Sequence, residues 1–269
     1  MDRLDEGTLR LLVFAGVFLL MAAVELFEPR RELTASKGRR WFTNLAILLI
    51  DIAAVRLIFP LAAVGVAIWA GERGLGLFNA APVPGAAAGL ASFLALDLAI
   101  YAQHVASHKI PLLWRLHRVH HTDRDVDVTT ALRFHPVEIL LSMVWKGVVI
   151  VALGAPPAAV FAFEAVLNGA AMFNHANIRL PAPLEKLLRL AVVTPDMHRV
   201  HHSVIHRETD SNYGFNLSVW DRLFRTYVDE PRDGHEAMRL GLEPFQDDRP
   251  TRLGWSLWLP FGEGRRRDQ

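Results

Sequence analysis

The sequence predicts an all-α, multi-pass membrane protein. About four transmembrane helices are expected, with the histidine-rich stretches on the cytoplasmic side. Three observations carry that prediction. The chain of 269 residues is 52% hydrophobic and only 21% charged. Its apolar residues are gathered into four or five long blocks, more than the core of one small soluble domain needs. Eleven of its 12 histidines lie between His104 and His206.

The first block, Leu11 to Val24, carries no charge between Arg10 and Glu25. It reads as a retained helix. The ten residues before it are mixed in sign, and the run Glu25 to Arg31 follows in place of a small-residue cleavage site. Trp41 to Gly71 is apolar apart from Asp51 and Arg56. Gly74 to Leu96 is uncharged and reaches the roughly 20 residues that a bilayer core demands. Pro82 and Pro84 make the start of that run a loop or helix entry. Two further blocks, about 137–153 and 158–175, read as a helical hairpin turned at Gly154-Ala155-Pro156-Pro157. Asp51, Arg56 and Glu164 are costly against lipid and should face the protein interior or an interface.

Loop charge sets the expected orientation. The segment from Arg30 to Arg40 holds Arg30, Arg31, Lys37, Arg39 and Arg40 against Glu32, whereas the loop near Gly71 to Pro84 holds only Glu72 and Arg73. Basic loops stay in the cytoplasm. The N-terminus is then outside, and the chain after Ala99 is cytoplasmic. The hairpin returns the chain to that same side. The expected organisation is one integral-membrane domain. It comprises N-terminal membrane helices over 8–100, a first histidine segment over 101–136, a membrane hairpin over 137–175, a second histidine segment over 176–228 and a polar tail over 229–269. Trp255, Trp258 and Phe261 in that tail are placed either at a membrane interface or on a plain surface.

Composition also excludes. A net charge of +1 argues against nucleic-acid binding through bulk positive charge. The absence of cysteine removes disulfides, Fe–S clusters and thiolate metal sites. Metal ligands must therefore be nitrogen or oxygen.

The histidines supply such ligands. His104 and His108 are four apart and share a helix face. His117, His120 and His121 form an HxxHH triplet, and His198, His201 and His202 repeat its spacing. One HxxxH pair is weak evidence, but two triplets and a pair beside membrane segments are strong. Imidazole suits iron, zinc, copper and nickel. Eight histidines exceed one tetrahedral zinc site and suffice for two metals with open positions. Beside a bilayer, such a site suits oxygen activation on a lipid, with zinc hydrolysis as the chemical competitor. Carboxylates near in sequence, namely Asp97, Asp123, Asp127, Glu138, Asp196, Glu208 and Asp210, are candidates to orient the rings.

These pieces, together with Arg133-Phe134-His135-Pro136, Asn174-His175-Ala176-Asn177 and Asn212-Tyr213-Gly214, resemble the fatty acid hydroxylase and sterol desaturase superfamily of integral-membrane di-metal oxidases. The resemblance covers about residues 90–225 and implies an all-α fold in which a transmembrane helical stalk carries a cytoplasmic, histidine-rich helical cap that holds the metals. It implies that His104, His108, His117, His120, His121, His198, His201 and His202 bind metal and that His175 completes the set. His135 is read as structural or as supporting a ligand, with direct ligation as the lesser alternative; His206 lies outside the pattern, and His235 is placed on the surface. Asn212-Tyr213-Gly214 is expected to close the site. The implied cofactors are two iron ions, replaceable by zinc in isolated protein, with O2 as cosubstrate. The implied partners are a membrane lipid and an external electron donor such as a ferredoxin or a cytochrome b5-like protein with its reductase. The implied activity is lipid hydroxylation, with desaturation second. A zinc-dependent membrane hydrolase and a non-catalytic lipid- or metal-binding protein are the competing classes. The expected setting is a bacterial inner membrane with the metals facing the cytoplasm.

Overall fold

The structure, a computed structural model, describes residues 6–81 and 83–262. Residues 1–5, Pro82 and the last seven residues of the expected tail lie outside the described residues. Regular structure among the described residues is helical, joined by three isolated antiparallel bridges.

The stalk contains α1 (Glu6–Phe27), α2 (Lys37–Ile58), α3 (Ala63–Glu72), α4 (Leu77–Ala80) and α5 (Gly85–Lys109). After α6 (Pro111–His121), which belongs to the cap, come α7 (Pro136–Leu153) and α8 (Pro157–His175). Four segments among the described residues are long and apolar enough to cross a membrane: Gly7–Phe27, Lys37–Ala80, Gly85–Lys109 and Pro136–Leu153. The protein is an all-α, multi-pass integral membrane protein. Large apolar side chains such as Leu19, Leu26, Phe27, Leu57 and Val148 point outward and exposed, as lipid-facing residues do.

The apolar block from Trp41 to Gly71 is not one helix. Pro60 lacks an N–H and disfavours helical geometry at the residue before it, so Phe59 is extended and α2 stops there. The chain restarts as α3, whose small residues Ala63 and Ala67 let it pack closely on Leu96 of α5, Ile150 of α7 and Phe163 of α8. The α7–α8 turn needs glycine: Gly154 has φ +64°, and Gly76, at φ +95°, lies so close that a Cβ there would meet its backbone. Glu164 faces inward, where Lys146 Nζ donates to it at 2.7 Å and Arg10 at 2.5 Å. Arg56 sits exposed in the last turn of α2.

The cap adds α9 (Ala182–Leu188), α10 (Pro195–His201), α11 (His206–Thr209), α12 (Val219–Leu223), α13 (Gly234–Ala237) and α14 (Leu253–Trp258). Buried arginines tie it to the stalk. Arg40 at the start of α2 donates to both carboxylate oxygens of Asp123, at 2.7 and 2.8 Å, and to Asp127 at 2.7 Å. Arg133 donates to the Val119 carbonyl on α6, to Asn44 on α2 and to the Pro250 carbonyl, all within 2.9 Å. The segment expected as a polar tail is folded as far as Gly262. Its Met238, Leu240, Leu242, Phe245 and Leu259 are buried against the cap. Those residues follow no single helical or strand period, so a periodic reading passes over them.

Candidate metal centre

Each histidine is delivered by a local device. The last turns of α5 put His104 and His108 on one face. Pro111, at the first position of α6, starts a new helix immediately afterwards. Thr194 caps α10, accepting from the Met197 N–H at 3.3 Å, and Pro195 opens that helix. His175 is the final residue of α8.

All nine histidines are buried and fall into two groups. His104, His108, His117, His121 and His201 form one, and His120, His175, His198 and His202 form the other. Within each group, one ring nitrogen per residue lies within 4.8 Å of every other. Each HxxHH triplet feeds both groups. The four-apart pair His117/His121 goes to the first group and His120 to the second; on α10 the pair His198/His202 goes to the second and His201 to the first. Residues four apart share a helix face, while an adjacent residue is rotated by about 100°.

The second ring nitrogen of several histidines is held by the protein. His104 Nδ1 donates to the Tyr213 carbonyl, His201 Nδ1 to the Ser211 carbonyl and His175 Nδ1 to the Ala171 carbonyl, each at 2.7 Å. His117 Nδ1 meets Glu138 at 2.6 Å. With Nδ1 carrying the proton, Nε2 is a bare lone pair. These Nε2 atoms meet other rings: His104 Nε2 lies 3.1 Å from His117 Nε2, and His175 Nε2 lies 3.1 Å from both His120 Nε2 and His198 Nε2. Burial first, and neighbouring imidazoles second, hold His120, His121, His198 and His202 well below the usual imidazole range. The same causes bring His201 down to about 3. All five are neutral at pH 7 and offer lone pairs.

Of the seven carboxylates near in sequence, Glu138 holds His117, and Asp210 lies 3.4 Å from His108 Nδ1. The others act elsewhere. Asp97 accepts from Trp220, Asp123 and Asp127 from Arg40, Asp196 from Arg30 and Arg199, and Glu208 from the Arg232 N–H. His135 belongs to neither group. Its Nδ1 accepts from the Val137 N–H and its Nε2 lies 3.2 Å from the Leu257 carbonyl, so it caps α7 and pins the C-terminal segment. His206 is exposed beside Asp210. His235 is not a surface residue. Its side chain is 5% exposed, with Nε2 3.1 Å from Glu230 and 3.9 Å from Asp196.

Sequence reasoning missed Asp221. It accepts from the backbone N–H groups of Tyr213 and Gly214, each at 2.8 Å, and so fixes the loop whose carbonyl orients His104. A Cβ on Gly214 would lie 2.9 Å from Asp221 Oδ2. Asn212, at φ +50°, completes the clamp by donating to the Met197 and Val228 carbonyls. No residue-type pattern marks Asp221, because it works through backbone amides.

A family model for fatty acid hydroxylases matches residues 89–226. The chain belongs to the fatty acid hydroxylase family. The matched stretch contains all nine grouped histidines. Among curated relatives, the chain is 32% identical over 137 residues to an ornithine lipid hydroxylase of Rhizobium tropici, covering 51% of this chain and 40% of that protein. It is 35% identical over 164 residues to the alkylglycerol monooxygenase of Xenopus tropicalis, covering 58% of this chain and 34% of that one. It is 30% identical over 177 residues to the human alkylglycerol monooxygenase, covering 63% and 37%. The chain therefore spans about a third to two fifths of the length of these relatives. No solved structure matches it.

The donor set fits the metal pair of a histidine-box fatty acid hydroxylase. Buried rings converge in two adjacent groups, and their Nε2 atoms face one another at hydrogen-bond distance. Nine polar rings in a dry interior are unfavourable unless a cation binds them.

Proposed function

We propose that this chain is an O2-dependent lipid hydroxylase that works with two iron ions. The five-histidine group takes one ion and the four-histidine group takes the other. The observation that carries this reading is the gathering of nine buried histidine rings into two adjacent groups, with the Nδ1 atoms of His104, His117, His201 and His175 already held by the protein so that their Nε2 atoms are left for an ion. When bound and reduced, the iron pair supplies the oxygen activation needed to break an unactivated C–H bond. The protein supplies the rest. Histidine rings provide an all-nitrogen ligand set, Glu138 and the Tyr213, Ser211 and Ala171 carbonyls orient the rings, and burial excludes bulk water.

Hydroxylation leads because the matched relatives are named hydroxylases or monooxygenases of lipids. Desaturation of the same lipid class is the second outcome, since both begin with loss of one hydrogen and diverge by small differences in placement. The electrons come from a separate carrier, such as a ferredoxin or a cytochrome b5-like protein with its reductase. The setting is a bacterial inner membrane, with the metals on the cytoplasmic side as loop charge directs.

The test is untargeted lipid mass spectrometry on cells with and without the gene. A lipid gaining one oxygen atom supports hydroxylation, and one losing two hydrogen atoms supports desaturation. Full activity of the purified protein on any lipid without O2 and reductant, or with zinc alone, overturns the oxidase reading.

A further inference from the structure

A cleft with a volume of about 1110 Å³ lies at the junction of stalk and cap, away from the histidine groups. Its level relative to the bilayer follows from the chain on either side. On one side α1 ends with Leu26 and Phe27, which are 67% and 81% exposed as lipid-facing residues are, and the next turn supplies Glu28 and Arg30 to the cleft wall. On the other side, α9 and the residues after it present Leu184, Leu187 and Leu190, exposed, beside Lys186 and Arg189 of the wall. Apolar flanks around a charged hollow are the arrangement expected at the headgroup layer, where chains meet water.

The lining carries both signs. Arg179 and Lys186 are exposed cations, while Glu230 and Glu236 are exposed acids. Arg179 pairs with Glu236, an exchangeable surface contact. His235 lines the same cleft, and its buried Nδ1 has no hydrogen-bond partner. The back wall includes Asp196, two residues before His198 on α10, so the cleft shares a helix with the four-histidine group. Ligand sites of several hundred Å³ hold molecules the size of a polar head with the first part of its chains.

The geometry points to this cleft as the binding site for the polar head of a zwitterionic lipid, its anionic part on Arg179 and Lys186 and its cationic part on Glu230 and Glu236. Its assignment as a substrate subsite rests on the lipid-hydroxylase reading. The binding itself is measurable without turnover.

The full chain is purified in detergent, and two probes with identical short acyl chains are titrated, one with a phosphocholine head and one with a glycerol head. The phosphocholine lipid is expected to bind at least tenfold more tightly. The double variant Arg179→Glu/Lys186→Glu is expected to abolish that preference while iron content stays at the wild-type level. Lys186→Gln, a mild change at an exposed position, gives a partial loss if the double variant fails to fold. Equal binding of the two probes by the wild type, or an unchanged preference in the folded variants, overturns the proposal. So does a variant that keeps the preference but loses electron transfer from an added carrier, because the cleft is then a donor-docking surface. A head preference that behaves as expected, in a protein that oxidises no lipid, leaves the site standing and removes only the hydroxylase reading.

Discussion

The two histidine groups lie side by side but are supported differently. In the five-histidine group, His104, His117 and His201 each have the second ring nitrogen bonded to a carbonyl or a carboxylate, and His108 has Asp210 beside it. In the four-histidine group only His175 is held this way. The Nδ1 atoms of His120, His198 and His202 have no hydrogen-bond partner, a state that His121 shares in the first group. These rings are positioned by contact instead: Phe134 stacks on His120 at 4.4 Å and 9°, and His202 stacks on His121 at 4.7 Å and 20°. The first group is preorganised by polar anchors, whereas the second depends on packing and on the ion it binds. Anchored ligands hold metal more tightly because less motion is lost on binding.

The largest effects should come from the rings themselves. His117 Nε2 sits 3.1 Å from His104 and 3.2 Å from His121, at the centre of the first group. His117→Ala and His120→Ala should each abolish lipid oxidation. If each group holds one ion, each variant should also lose about half of the bound iron on elemental analysis. Wild-type iron content in either variant would remove that residue from the ligand set. Loss of both ions from His120→Ala alone would show that the groups are one coupled site.

A smaller effect is expected one step out. Glu138→Gln keeps the size of the side chain but removes the negative charge facing His117. Iron affinity of the first group should fall by about 10- to 100-fold, the usual consequence of losing such a partner. Competition with a chelator measures it. An unchanged affinity would mean that anchoring is not what distinguishes the two groups.

Phe134→Leu probes the second group in the same way. Aromatic stacking contributes about 0.5–1.5 kcal/mol beyond area burial. Affinity at the four-histidine group should therefore fall between about twofold and tenfold, with the first group less affected, because Phe134 stacks on His117 only at 6.1 Å. Equal weakening of both groups would dissolve the distinction.

The sequence showed which residues would gather but not how each group is supported. The histidine spacing, repeated in two triplets, is a pattern of residue types, and helical period turns it directly into shared faces. The apolar blocks likewise announce the stalk, and Glu164 turns inward because lipid cannot solvate it. The anchors of His104, His201 and His175 are backbone carbonyls, which every residue possesses, so Tyr213, Ser211 and Ala171 carry no mark. Only two of the seven nearby carboxylates reach a grouped ring, because the rest serve buried arginines, amides or Trp220 from distant parts of the chain. His235 looked like a surface residue because it stands alone in a charged segment. The fold buries it by bringing α13 against α10.

That burial gives the effect that is most remote from the metal centre, and it concerns the backing of the four-histidine group. His235 faces Asp196 and Glu230, with Arg30, Arg189 and Arg199 close by. Burial first, with the arginines reinforcing it against Asp196, lowers its pKa to about 4. An unfolded histidine takes up its proton near pH 6.5. Between pH 6.5 and 4 the unfolded chain therefore binds the extra proton and the folded chain does not, so stability falls as the solution is acidified. The slope from this one group is at most about 1.4 kcal/mol per pH unit. His235→Gln lacks the titration, so its melting temperature should fall less than that of the wild type from pH 6.5 to 4, with iron content at pH 7 unchanged. Parallel melting curves would show that His235 titrates alike in both states. Loss of iron from the four-histidine group alone would show that its support extends through α10 to this residue, and the contrast between an anchored group and a packed one would then have to be redrawn.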